Sequence, residues 1–166
     1  MVDKRKFKDI NVSLLGLGTM RLPCETEQKR ESNRNIDYDK AQSLVDLAYK
    51  NGVNYFDTAY MYHCGKSEAF IGYALNKYPR DTYFIADKLP IWLCDTKEDM
   101  KRVFEKQLER TGMDYFDFYL LHSLDNENFE KCEKFYAYDF LKKMQKEGKI
   151  KYIGFSFHGT GEGIIN

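Results

Sequence analysis

The stretch TKEDMKRVFEKQLERTGMDYFDFYLLH, residues 96–122, decides the reading of the fold. Thr96 and Asp99 have the spacing of a capping box, with Asp in the acidic role. Behind them Met100, Val103, Phe104 and Leu108 recur at helical spacing, and Gly112 closes the segment. Tyr115–Leu121 is then an aromatic and aliphatic run of the strand type, ending at His122. One amphipathic helix followed by one apolar strand is half of a βαβ unit.

The same alternation extends in both directions. Upstream, Tyr83–Ala86 reads as a strand that ends at Lys88. Ser67–Lys77 reads as a helix with Ser67 as N-cap, Glu68 in its first turn and Pro79 as its stop. Val53–Asp57 is a strand, preceded by a helix over Asp37–Lys50 whose apolar residues are Ala41, Leu44, Val45, Leu47 and Ala48, with Gly52 as the C-cap candidate. Val12–Leu17 is a short apolar run closed by Gly16 and Gly18. Downstream, Phe135–Glu147 reads as one helix ending at Gly148, and Ile150–Phe157 as a fifth strand. Strands alternating with helices, with starts roughly 30–40 residues apart, mean a parallel sheet.

Two architectures share that alternation. A doubly wound dinucleotide-binding sheet needs its glycine-rich turn to open a helix straight after the first strand. Gly16-Leu17-Gly18 lacks the third glycine, and no helix follows it directly. The expected class is therefore α/β, a (β/α)8 TIM barrel. A complete barrel takes about 250 residues, so the 166 residues here are expected to supply about the first five β/α units, a truncated barrel. Residues 1–166 read as one incomplete domain with open sheet edges, and such edges lead to an expectation of self-association.

Composition narrows the class of function. Lys and Arg number 26 and so do Asp and Glu, which argues against a broad electrostatic footprint for nucleic acid. Apolar residues at 43% and aromatics at 16% are globular proportions. Cys24, Cys64, Cys94 and Cys132 are irregularly spaced with no C-x-x-C pair, so no metal or iron–sulfur site is read from them and free thiols in a reducing cytoplasm are expected. No signal peptide or membrane-length apolar run is read.

Ionisable side chains stand where four strands end: Asp57 with Tyr62 five residues on, Lys88, His122, and Ser156-Phe157-His158. In a (β/α) barrel the C-terminal strand ends form the active-site face, so these residues are expected to converge. Each has an ordinary alternative. Tyr62 is one of 13 tyrosines and could pack, Lys88 could be solvated, and His122 could be a core histidine. His158 could line a pocket or simply end its strand.

The segments Gly16-Leu17-Gly18-Thr19-Met20-Arg21, Asn54-Tyr55-Phe56-Asp57-Thr58-Ala59-Tyr60-Met61-Tyr62, Lys88-Leu89-Pro90 and Asp114–His122 resemble the aldo-keto reductases, from about Val12 to Gly159. The Asp-x-x-x-x-Tyr spacing, the lysine and the Leu-Leu-His strand end, in that order, carry the resemblance. It implies a catalytic tetrad at Asp57, Tyr62, Lys88 and His122. Tyr62 would be the proton donor in an NADPH-dependent reduction of an aldehyde or ketone to an alcohol. A nearby ammonium favours the ionised form of a phenol, which is the part the resemblance gives Lys88. Asp57 would hold that lysine charged and in place, and His122 would orient the carbonyl oxygen. The resemblance also puts Thr19, Met20, Arg21, Asp57 and Ser156 against NADP. At Ser156-Phe157 the chain departs from the family's Ser-Asn pair, which leaves the carboxamide contact open.

Gly154–Gly159, Tyr78–Asp81 and Tyr62–Glu68 resemble a branch in which a ferredoxin-like iron–sulfur domain often follows the barrel. No cluster is expected within these residues. The partner expected is a small carbonyl substrate, with no nucleic acid and no membrane. Two other readings share the fold: a non-catalytic regulatory or binding subunit, and an inactive fragment of a longer reductase.

Overall fold

The computed structural model of the chain describes residues 1–25 and 35–158. In chain order its elements are β1 (Lys4–Phe7), β2 (Ile10–Ser13), β3 (Leu17–Gly18), α1 (Tyr38–Lys50), β4 (Tyr55–Asp57), α2 (Lys66–Leu75), β5 (Phe84–Leu89), α3 (Lys97–Thr111), β6 (Phe116–Leu124), α4 (Asn126–Phe135), α5 (Ala137–Lys146) and β7 (Ile150–Phe157). β1 and β2 make an antiparallel hairpin, and β3 to β7 form one sheet in the order β3-β4-β5-β6-β7. The β3–β4, β4–β5 and β6–β7 registers are parallel. A doubly wound sheet reverses its strand order at a switch point. This sheet adds each strand beside the last, as successive units of a (β/α)8 barrel do. The chain forms two compact units, Met1–Ala86 with Arg110–Gly112, and Asp87–Glu109 with Met113–Asn166.

In the first unit, the Asp37 carboxylate accepts from the Lys40 N–H and caps α1. Ala41 and Val45 are its fully buried side chains, whereas Leu44 and Leu47, expected on the same apolar face, are exposed. The apolar run expected as one strand over Val12–Leu17 divides instead. β2 ends at Ser13, Leu14 turns away with its N–H on the Asp3 carbonyl, and β3 keeps only Leu17–Gly18. Asn54 explains where β2 stops. Its side chain accepts from the Ser13 N–H and donates to the Asn11 carbonyl, while its own N–H donates to the Ser13 hydroxyl. α2 begins one residue before the expected cap, after Gly65, and Ser67 is fully buried within it. A Cβ on Gly72 would lie 2.1 Å from the Thr111 carbonyl oxygen, so only glycine permits that approach.

In the second unit the expected capping box forms. The Asp99 N–H donates to Thr96 Oγ1, and the Thr96 N–H to Asp99 Oδ2. Met100, Val103 and Phe104 are buried as expected, and Leu108 is partly buried. The Phe104 ring meets Phe116, Tyr119 and Phe140 edge-on, with centroids 5.0–6.0 Å apart. The helix expected over Phe135–Glu147 is α5, Ala137–Lys146, and a further helix ahead of it, α4 over Asn126–Phe135, was not expected. Tyr136 sits at φ 57°, breaking α4 from α5, and Asp125 caps α4 by accepting from the Asn128 N–H. β7 runs over Ile150–Phe157 as expected. Among the described residues no helix is long and apolar enough to cross a membrane.

Candidate active site

Asp57 is the last residue of β4, in the first unit, and is half-buried. Its carbonyl oxygen accepts from both the N–H and the hydroxyl of Thr19, at 2.9 Å each. Ser67 donates to the Thr19 hydroxyl at 2.6 Å and lies 2.9 Å from the Thr58 hydroxyl. Thr19, Thr58 and Ser67 are all fully buried. This chain of hydroxyls ties the end of β3, the loop after β4 and the start of α2 together. Ser67 therefore serves the β4 loop and does not cap α2.

Tyr62, half-buried, opens a short 3₁₀ turn over Tyr62–Gly65, its N–H on the Ala59 carbonyl. His63 and Cys64 follow at φ 50° and 54°, a left-handed conformation that non-glycine residues rarely hold. His63 is buried and its Nε2 accepts from the Leu22 N–H at 3.2 Å. Arg110 holds the other side of the loop. It pairs with the fully buried Glu68 at 2.8 Å, donates to the Tyr60 carbonyl at 3.4 Å, and lies 4.4 Å from the centre of the Tyr60 ring. Gly65 leaves the room for that guanidinium, since a Cβ there would lie 2.8 Å from Arg110 Nη1.

Lys88 and His122 belong to the second unit, and each is followed by further strand residues: β5 runs on to Leu89 and β6 to Leu124. Both are buried. Charged or titratable groups are seldom buried without a task or a partner. The His122 ring lies 5.0 Å from the Trp92 ring. Burial above all, then the charges of Lys88 and His158, pushes the His122 imidazole down to about 4, so it is neutral near pH 7. Just past it, Ser123 adopts φ 53° where the β6–β7 register shifts. The Ser123 N–H donates to the Ser156 hydroxyl at 2.7 Å, and its carbonyl accepts from the Asn128 side chain. Ser156 thus braces the bulge beside His122, while its own O–H still has a proton to give.

Of the residues expected to meet a cofactor, Thr19 spends its side chain on Asp57, whereas Met20 and Arg21 present exposed side chains. His158 is exposed, its N–H on the Leu124 carbonyl. Sequence reasoning missed Glu68, Asp87, Gln107, Arg110 and Tyr119 as supports of these segments. Gln107 carried a signal, because it interrupts the apolar stripe of Met100, Val103, Phe104 and Leu108 with an amide.

Residues 14–162 match the sequence model of the Aldo/keto reductase family. The chain belongs to the aldo/keto reductase family. It is 32% identical over 163 residues to an aldo-keto reductase of Gibberella moniliformis, a match that covers 94% of this chain and 46% of that protein. It is 28% identical to an NADH-specific methylglyoxal reductase of Escherichia coli, over 88% of this chain and 48% of that one. Among solved structures, an aldo-keto reductase of Bacillus halodurans in its holo form superposes with a TM-score of 0.71 at 29% identity, over 95% of this chain and 51% of that one. An aldo-keto reductase of Klebsiella pneumoniae in complex with NADPH gives 0.72 at 26% identity, over 99% and 52%. The chain spans about half the length of the curated relatives it matches.

Proposed function

We propose that this aldo/keto reductase chain carries the proton-transfer half of an NADPH-dependent reductase of aldehydes or ketones, and that Asp57, Tyr62, Lys88 and His122 act together. The observation that carries this reading is their placement. In the first unit the Asp57 carboxylate ends β4 and the Tyr62 phenol opens the turn that follows it; in the second the Lys88 ammonium stands near the end of β5 and the neutral His122 imidazole on β6. The lysine and the imidazole are both buried. The C-terminal ends of such strands are where the chemistry of (β/α) barrels is done.

On this reading Tyr62 gives its hydroxyl proton to the carbonyl oxygen as that oxygen gains charge. Lys88 stabilises the charge left on the phenol oxygen, and Asp57 holds the ammonium in place. His122, neutral, donates an N–H to the same carbonyl oxygen and fixes its direction. A bound nicotinamide supplies the hydride.

The residues present fit such a cofactor in part. Met20 and Arg21 present exposed side chains on a loop anchored by Thr19, and Ser156 keeps a hydroxyl proton for a carboxamide. Phe157 cannot replace the amide of an asparagine, so the grip on the carboxamide falls to Ser156 in this chain. We further infer that residues 1–166 are the N-terminal part of the barrel domain, that NADPH is preferred over NADH, and that the protein acts in the cytoplasm.

The test is NADPH oxidation with a simple aldehyde, alongside fluorescence titration of NADPH binding, in the full-length protein. Tyr62→Phe should lower turnover by several orders of magnitude and leave cofactor affinity within about twofold of wild type. Wild-type turnover in Tyr62→Phe would sink the assignment.

A further inference from the structure

We propose that Asp87, Gln107 and Tyr119 form a buried positioning network that sets the backbone at Lys88, and that Gln107 is its central member. The inference rests on the proposed role of Lys88.

All three side chains are fully buried. The Gln107 amide nitrogen donates to Asp87 Oδ1 at 2.7 Å and to the Lys88 carbonyl oxygen at 3.0 Å. Its amide oxygen accepts from the Tyr119 hydroxyl at 2.5 Å. Asp87 Oδ1 also accepts from the Lys88 N–H at 2.8 Å. Both backbone polar groups of Lys88 are thus engaged by the network, the N–H through Asp87 and the carbonyl through Gln107.

The amide has one workable orientation. A flip would turn its oxygen toward a carboxylate and a carbonyl and leave the Tyr119 hydroxyl facing an NH₂ group. The three residues come from β5, α3 and β6. Successive strand residues face opposite sides of a sheet, so Asp87 turns toward α3 and the Lys88 side chain leaves on the other face. The network therefore holds the base of the lysine from behind, where it does not occupy the space of a substrate.

Stability alone is a poor account of the arrangement. Apolar side chains of similar shape would fill this layer without the desolvation cost of a carboxylate, an amide and a phenol. The hydrogen bonds among these side chains instead favour one geometry. Lysine needs that help more than most residues, because its charge sits at the end of a flexible four-carbon stem. A shift at its Cα carries through to the ammonium.

The test compares Gln107→Met and Tyr119→Phe with wild type in the full-length protein, by kcat, KM, NADPH affinity and the pH profile of kcat. Tyr119→Phe keeps the ring and removes only the hydroxyl that orients the amide, so it carries the test even if Gln107→Met does not fold. We expect Gln107→Met to lower kcat on the order of 10- to 100-fold, with KM and NADPH affinity within about twofold. The alkaline limb of its kcat profile should move to higher pH by up to about one unit, because a displaced ammonium favours the ionised phenol less. Tyr119→Phe should shift both in the same direction by less. Variants that melt at lower temperature but keep the wild-type kcat and pH profile would overturn the proposal and leave the network as packing alone. The Tyr62→Phe control separates the two levels. If that variant stays active, the reading of the site fails; if it is inactive while the network variants behave as wild type, only this inference fails.

Discussion

Acidification should destabilise the native protein through His122, and replacing that residue should remove the effect. The imidazole is pushed from the ordinary 6.5 down to about 4, first by burial and then by the charges of Lys88 and His158. The native state thus refuses a proton that the unfolded chain accepts below about pH 6.5. Stability is complete above that value and falls as pH drops toward 4, because in this window the unfolded state binds more protons. At about 1.4 kcal/mol per pH unit the full effect is about 3 kcal/mol, of which about 2 kcal/mol falls between about pH 7.5 and about pH 4.5. The assay is urea unfolding of wild type and His122→Asn at about pH 7.5 and about pH 4.5. Carboxylates that titrate over the same range do so in both proteins and cancel in the difference. Wild type should lose about 2 kcal/mol more than the variant between the two conditions. Equal losses would refute the reasoning, as would a His122 ring signal titrating near pH 6.5. With only 3 histidines in the chain, NMR can follow each one. The same depression keeps His122 a neutral N–H donor at physiological pH, which its proposed part in orienting a carbonyl requires.

Two further outcomes test how the Tyr62 loop and its surroundings are held. Arg110→Met leaves the fully buried Glu68 carboxylate without its partner at 2.8 Å. It should cost about 3 kcal/mol in a denaturant titration, and Glu68→Gln made on top of it should recover part of that loss. Gly72→Ala forces a Cβ to within 2.1 Å of the Thr111 carbonyl. It should lower stability by at least about 2 kcal/mol, seen as a fall in melting temperature.

The outline of the fold was legible because its signals are local. The Thr96–Asp99 capping box, the apolar spacing of α3 and the bounds of β7 each depend on neighbours a few residues away. Errors arose where a distant group decides the local structure. Val12–Leu17 looked continuous, yet Asn54, some 40 residues on, holds β2 only as far as Ser13. Ser67 has the chemistry of an N-cap, but the hydroxyls of Thr19 and Thr58 take it. α4 over Asn126–Phe135 went unread, and the left-handed backbone at Tyr136 that divides it from α5 has no signal in the apolar pattern.

The candidate site divides in the same way. Asp57, Tyr62, Lys88 and His122 became candidates from residue types near the expected strand ends and from the family resemblance, and their joint role is the proposal made above. What holds those residues could not be named. The Arg110–Glu68 pair, the Ser156 brace beside His122 and the Asp87–Gln107–Tyr119 network join side chains 12 to 42 positions apart. A hydrogen bond of that span has no local period to betray it. The sequence by itself determined the alternation of the sheet strands with α1, α2, α3 and α5 and the residue types near the strand ends, since both follow from spacing and composition. The tertiary structure alone decided which buried polar groups satisfy one another, because leaving one unpaired in the interior is costly and the partner that prevents this is set by the packing of the folded chain.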